Sequence, residues 1–331
     1  MKTTIKAAIA AAVATMSWGF SEPLRAQETF TLRFNHVLAP TEPFHQGFQE
    51  WARRVDERTK GGLKMQVFHS AQLGVEEDII EQMRQGANIG QNTDSARLGT
   101  YVRGMAVMNG PYFVGTLDEV AKLRQSPTIQ RWTQELAERH GLRVVCFDWV
   151  QGLRHVYTNK PIRTPADLAG LRIRTPPAPI WQESVRALGA SPVAMAFGEM
   201  YPALQQGAID GVELVHNNIP GRRFWEVLKH VNETGHILLI NFQVVGAQFF
   251  AKLPADYQTA LVEECQRAGR ETSERILASE AAVKQQMRER GMTFTQDIDL
   301  AAFRAAGEQA YQKLNLLEDR NTIYREIGKQ R

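Results

Sequence analysis

Apolar and polar positions alternate along residues 29–34, TFTLRF, and again along 63–68, LKMQVF, which is the two-residue period of a half-buried strand. Between them the period changes. Phe44, Phe48, Trp51 and Val55 recur every three or four residues, which predicts an amphipathic helix from Pro43 to about Lys60 that Gly61 and Gly62 end. HSAQLGVEEDIIEQMRQGANIGQNTDSA then reads as loop, helix, glycine stop, strand and polar turn. Strands alternating with helices in this way predict an α/β protein with a largely parallel sheet.

One phrase in this region recurs later in the chain. MRQGANIGQ (Met83–Gln91) and LQQGAIDGV (Leu204–Val212) share an apolar position, a Gln-Gly helix stop, an alanine and a short strand entry with a glycine. The length suits two domains of about 150 residues, so the shared connection points to two similar α/β units. No independent linker separates them. GLRVVCFDWVQGLRHVYTN passes from an apolar strand near Trp149 to another near His155, and HILLINFQVV (His236–Val245) offers a second crossing; both read as hinge strands. From Asp256 to about Arg290 no proline interrupts apolar positions at Tyr257, Leu261, Cys265, Ala268, Ile276, Val283 and Met287. At about 1.5 Å per residue that helix runs roughly 50 Å and has to pack across both units.

Composition narrows the setting. MKTTIKAAIAAAVATMSWGFSEPLRAQ carries Lys2 and Lys6 ahead of an alanine-rich run, with the small residue Ala26 at a plausible cleavage point, so residues 1–26 read as a secretory signal and the mature protein is expected in the periplasm. No later segment approaches the run of about 20 apolar residues a membrane span needs. Loss of residues 1–26 removes Lys2, Lys6 and Arg25 against Glu22, taking the formal charge from +3 to +1. That balance leaves no electrostatic footprint for nucleic acid. Cys146, inside VVCF, and Cys265, on a helix face, suit buried free thiols, and no disulfide is expected. The scattered histidines and two cysteines lack metal-ligand spacing, and neither metal nor cofactor is expected. There is no G-x-S-x-G elbow, phosphate loop, G-x-G-x-x-G or H-E-x-x-H, so no enzyme is expected. Glu76 and Glu77 adjoin a helix start, where the macrodipole favours acids, and Glu76 can also face a ligand.

DLAGLRIRTPPAP (Asp167–Pro179) raises a sharper question. Thr164, Pro165 and Asp167 form a helix-start signature and Gly170 a stop; Leu171, Ile173 and Thr175 then alternate with Arg172 and Arg174, placing both guanidinium groups opposite the apolar face. Pro176 and Pro177 halt the strand, leaving Arg174 at its C-terminal end, which in open α/β sheets faces the ligand crevice. Taken alone, the stretch also fits a solvated edge strand.

In order, AQLGVEEDIIEQMRQG, GLRHVYTNKPIRTPADLAGLRIRTP, GASPVAMAFGEMYPALQQGAIDGVE and FWEVLKHVNETGHIL resemble the solute-binding proteins of TRAP transporters, the tripartite ATP-independent periplasmic carriers, of the dicarboxylate-receptor type. The resemblance runs from about Phe30 to beyond Leu253. It implies a two-domain periplasmic-binding-protein clamshell, type II-like, with residues 27–151 and 240–279 in domain I and 152–239 and 280–331 in domain II. It further implies a monomer that binds a small organic acid in the cleft and hands it to TRAP membrane subunits. Arg174 matches the family arginine that forms a paired salt bridge with the ligand carboxylate, and Arg154 a second basic position; Phe197 matches a cleft aromatic, Asp94 a polar position facing ligand hydroxyls, and Glu213 a common glutamate. His36 follows the first strand in the family's first loop, and Trp149 and Asn241 lie by the crossings.

Two departures bear on the ligand. Where many relatives read Gln-Glu-Asn-Pro, this chain has Val212, Glu213, Leu214 and Val215, so the usual asparagine is missing and its contact is either lost or supplied elsewhere, with Asn217 and Asn218 the candidates. Pro202 stands a few residues into a helix starting near Glu199, a cost beyond its first turn. Asp94, Glu213 and His36 favour a hydroxylated sugar acid such as a uronate. The alternatives are a C4-dicarboxylate or keto acid, service to a sensor kinase or an ATP-driven importer, and an exported hydrolase or isomerase with Asp94 or Glu213 as base beside His36.

Overall fold

The computed structural model describes residues 29–330; the signal read from residues 1–26 lies outside them. Its strands are β1 (Phe30–Asn35), β2 (Leu63–Phe68), β3 (Ile89–Asp94), β4 (Leu142–Thr158), β5 (Arg172–Thr175), β6 (Ser191–Ala194), β7 (Gly211–Val215), β8 (His230–Gly246) and β9 (Thr293–Phe294). They run in the order β2-β1-β3-β8-β4-β7-β5-β6, with β9 beside β8. Pairs β1–β2, β1–β3, β5–β6 and β5–β7 are parallel, as the βα patterning predicts. The antiparallel pairs all involve β4 or β8, the two 17-residue strands that join the halves.

These are the expected hinge strands. β8 pairs β3 through Asn241–Val245, and β4 pairs β7 through Arg154–Thr158, so each strand belongs to one half at one end and to the other half at its other end. Between the two regions the ladder slips: Val150 faces Ile240, but Gly152 faces Leu239. Gly152 has φ +109°, a conformation that residues with a Cβ rarely adopt, and the extra residue bends the ribbon at the crossing.

A helix of 35 residues, Ala255–Glu289, lies under both halves. Its first part seats on the helix Pro43–Arg58 and on β4: Trp51 Nε1 donates to the Leu261 carbonyl, Trp149 Nε1 to the Cys265 carbonyl, and Ser273 Oγ accepts from Val150 N. A Cβ on Gly269 would stand 2.7 Å from the Trp149 ring, so only glycine allows that approach. Further along, Lys284 pairs with Glu233 of β8 and Arg288 covers Phe294 of β9. After the helix Leu300–Lys313 the chain turns back, and Leu317–Ile327 packs on the first half, where Tyr324 Oη and Lys329 Nζ both donate to the Phe113 carbonyl.

The expectation of two free thiols is corrected. Cys146 on β4 and Cys265 on the long helix form a disulfide, with Cα atoms 6.1 Å apart. Each side chain is buried, as the sequence indicates, but the two buried faces are the same interface. Pro202 carries no helix cost: it falls in the first turn of Met200–Gln205, where no intrahelical N–H bond is required of it.

Candidate functional site

Arg174 owes its place to the grammar around β5. The Asp167 carboxylate accepts from the Thr164 and Arg163 backbone N–H groups, Gly170 turns the chain at φ +77°, and the strand follows. β5 is interior, between β7 and β6, so the edge-strand reading fails for it. The two arginines share a face but not an environment. Arg172 is exposed and paired with Asp210 at 2.9 Å, whereas Arg174, nearer the strand's C-terminal end, is 1% exposed. Its Nε and Nη2 both donate to the Met195 carbonyl, at 2.9 and 2.7 Å.

Arg174 is the one buried arginine among the described residues that no carboxylate neutralises at ion-pair distance; Arg97, Arg154 and Arg320 each have one. Burial, with Arg154 and Arg97 adding repulsion, pulls its pKa down to about 9. A cation held there at the expense of its hydration has the charge and the N–H donors to take a carboxylate.

Behind it, Glu213 on β7 organises the arginine wall. Its carboxylate takes the Arg154 Nε–H and the Thr175 hydroxyl, its carbonyl takes Arg154 Nη2 at 2.5 Å, and His236 lies 3.6 Å away. The Arg154 guanidinium stacks over Trp181, 4.6 Å from the ring centroid. Burial works to raise the Glu213 pKa, but Arg154 and His236 override it and hold it at about 2. Because the folded-state value is depressed, the stability Glu213 supplies is present in full above its ordinary value of 4.5 and is lost as pH falls through about 2. Glu213→Gln, which leaves Arg154 charged and uncompensated, is expected to cost about 3 kcal/mol at pH 7. Thermal melts of variant and wild type should converge as pH approaches 2, and equal melting at pH 7 would contradict the assignment.

The opposite wall comes from the first half. Asp94, at the end of β3, accepts Arg97 N and the Arg97 guanidinium, which also pairs with Glu76 at 2.8 Å and Glu77 at 2.7 Å. Trp181 of the second half donates Nε1–H to Asp94 Oδ1 at 3.2 Å, a direct bond across the cleft. Burial raises the Glu76 pKa to about 7 against the pull of Arg97.

Of the residues singled out in the sequence, Arg174, Arg154, Phe197, Asp94, Glu76 and Asn241 line one narrow cavity of about 50 Å³. Glu213 stands behind it as the partner of Arg154. Trp149 sits in the core between Phe44, Phe48 and the long helix. His36 is bonded to His45 at 3.0 Å, away from the cavity, with its pKa lowered to about 3 by burial and by His45 and His69, so it is neutral and forms no pair with Asp94 or Glu213. Sequence reading missed Arg97, Trp181, Asn92 and Gln151 in the wall. Arg97 had a signal, a charge on the one buried turn after NTD; Trp181 had none beyond a helix start after PPAP. Asn218, weighed as a substitute for the missing asparagine, does line the cavity, as does Leu214.

A larger cavity, about 470 Å³, lies by β4, β8 and the long helix; two of its cations are neutralised, Lys284 by Glu233 and Glu280 and Lys329 by Glu119, and Arg304 stacks on Tyr112 at 4.7 Å. Beside it His155, His216 and Glu233 gather, each committed: His155 Nδ1 to Gly235 N–H, His216 Nδ1 to Tyr157 Oη, and Glu233 to His216 Nε2 and Lys284.

A family model described as bacterial extracellular solute-binding protein, family 7, matches residues 34–316. A Roseobacter denitrificans solute-binding protein is 30% identical over 285 residues, 86% of each chain. A TRAP periplasmic solute-binding protein structure from the same organism, with L-galactonate bound, is 28% identical, with TM-score 0.84 over 91% of this chain and 99% of that one. One from Ochrobacterium anthropi with bound L-fuconate is 28% identical, with TM-score 0.86 over 90% and 99%. An apo open structure from Escherichia fergusonii, 29% identical, gives TM-score 0.79 over 90% and 99%. The higher scores against ligand-bound relatives fit the contacts that span the cleft here.

Proposed function

The chain belongs to family 7 of the bacterial extracellular solute-binding proteins, and from that premise we propose that its cleft takes a hydroxylated sugar acid, an aldonate or uronate, with the carboxylate on Arg174. The protein is a solute receptor of the TRAP type and not an enzyme. The observation that carries the ligand reading is the unneutralised fork of Arg174, since a planar carboxylate is the partner that satisfies two parallel N–H donors. Asn241 Oδ1, a buried acceptor in the same wall without a partner, calls for a ligand hydroxyl. A second carboxylate is less well served: Arg97 is already engaged by Glu76, Glu77 and Asp94. The L-galactonate and L-fuconate held by the relatives fit that chemistry.

Binding needs no reaction. An acid that touches Arg174 on one half and Asn241 or Asp94 on the other binds the closed arrangement better than the open one and shifts the population towards it. The bend at Val150–Gly152 and Leu239–Ile240 is the natural hinge, giving domain I as residues 27–151 and 240–279 and domain II as 152–239 and 280–316, with Leu317–Lys329 returning to domain I. The mature receptor, freed of residues 1–26, acts as a periplasmic monomer that delivers its acid to TRAP membrane subunits.

A thermal-shift panel of aldonates, uronates, keto acids and C4-dicarboxylates tests the ligand class. An acid at about 100 times its dissociation constant adds roughly 2.7 kcal/mol to a fold that alone binds it. The largest shifts should come from hydroxylated monoacids; shifts confined to C4-dicarboxylates would transfer the assignment to that class.

A further inference from the structure

We propose that Glu42, Asn218 and Gly221 form a clasp at the cleft mouth that turns Asn218 into a reader of ligand hydroxyls only when the halves are closed. Glu42 belongs to the first half, in the loop ahead of the helix Pro43–Arg58, and is 2% exposed. Its Oε1 accepts the Ala39 backbone N–H at 2.9 Å, which fixes the carboxylate, and its Oε2 accepts Asn218 Nδ2–H from the second half at 2.7 Å. Both carboxylate oxygens are engaged as acceptors, Oε1 by Ala39 N–H and Oε2 by the Asn218 amide nitrogen. Burial raises the Glu42 pKa to about 7, against the pull of Ala39, Asn218 and Arg222, so this orientation belongs to the ionised form. The Asn218 Oδ1 is thereby left to the cavity that Asn218 lines, with no protein donor upon it. A second strut crosses nearby: Arg222 Nη2 donates to the Val37 carbonyl at 2.9 Å.

Gly221 sets how close the two halves come. A Cβ there would stand 2.8 Å from Glu42 Cγ and 2.9 Å from Oε1, so any side chain drives Glu42 off its seat. Opening the cleft breaks the Glu42–Asn218 bond and frees the Asn218 amide to rotate. Closure therefore both shuts the mouth and sets the polarity of one wall, in the place where Leu214 has removed the asparagine many relatives use.

This inference rests on the sugar-acid reading above, and the experiment separates the two. Stopped-flow and calorimetric binding of L-galactonate would be measured for wild type, Glu42→Ala, Asn218→Ala, the double variant and Gly221→Ala, alongside ligand-free melting. Each single change is expected to weaken binding about tenfold, the worth of one lost hydrogen bond, mainly through faster release. The double variant should be no weaker than Asn218→Ala alone, because the two side chains act as one unit. Gly221→Ala touches no ligand and acts only by displacing Glu42, so release should quicken while its ligand-free melting falls no further than that of Glu42→Ala. Wild-type affinity in Glu42→Ala and Gly221→Ala, or losses that multiply in the double variant, would overturn the clasp and leave the sugar-acid reading standing. Failure of wild type to bind L-galactonate or any other aldonate or uronate would overturn both.

Discussion

Arg174→Ala is expected to weaken acid binding at least about 30-fold while leaving the ligand-free protein folded. Removing one partner of a buried, hydrogen-bonded charge pair costs about 2–5 kcal/mol, or roughly 30-fold to several thousandfold in affinity. Before ligand arrives that pair does not exist: Arg174 has only the Met195 carbonyl, and its charge is carried at a desolvation cost that depresses its pKa to about 9. Truncation therefore takes little from the unliganded fold and most from the complex. Arg174→Lys should fail nearly as badly, because an ammonium cannot reproduce the two-pronged geometry. Calorimetric titration paired with melting curves checks both halves of the expectation. Retained binding in Arg174→Ala, or collapse of the ligand-free fold, would contradict it.

Removing the disulfide gives the second large effect, this time on stability. Cys146 and Cys265 are 119 residues apart, and closing a loop of about 100 residues is worth roughly 4.7 kcal/mol through the unfolded state. The bridge also ties the long helix to β4 beside Trp149, which packs on Phe48 and donates to the Cys265 carbonyl. Cys146→Ala with Cys265→Ala should lower the melting temperature by about 10 °C, since each kcal/mol shifts a chain of this size by some 2–4 °C. Affinity for the acid should be nearly unchanged, as neither cysteine lines the cleft. Non-reducing mass analysis together with melts of wild type and double variant decides the matter; unaltered melting would mean the crosslink carries no stability.

Much of the architecture was legible because it lies in local periodicity. The long helix follows from an unbroken apolar stripe, and the two Gln-Gly stops do precede matching strands: Gly86 and Gly207 have φ +89° and +65°, and β3 and β7 each run antiparallel to one of the crossing strands. Arg174 was legible for the same reason, since the double proline marks the strand end that meets the cleft. What period could not supply was which buried faces meet. Cys146 and Cys265 each read as buried alone, and only the packing of helix on sheet makes them partners. Trp181 and Arg97 come from different halves and join the site through closure. His36, in the loop after β1, and Trp149, on a crossing strand, do not line the cavity, because position along the chain does not say which side of the sheet a residue faces; both pack against Phe48.

The most direct test of the account is a calorimetric comparison of wild type with L-galactonate and with galactitol, its uncharged polyol counterpart, in one buffer. A receptor whose affinity rests on Arg174 and a ligand carboxylate should bind the acid and show no measurable heat with the polyol, a gap of at least about 100-fold. Equal affinity for the two would mean that hydroxyl contacts alone hold the ligand and that Arg174 is not the carboxylate clamp.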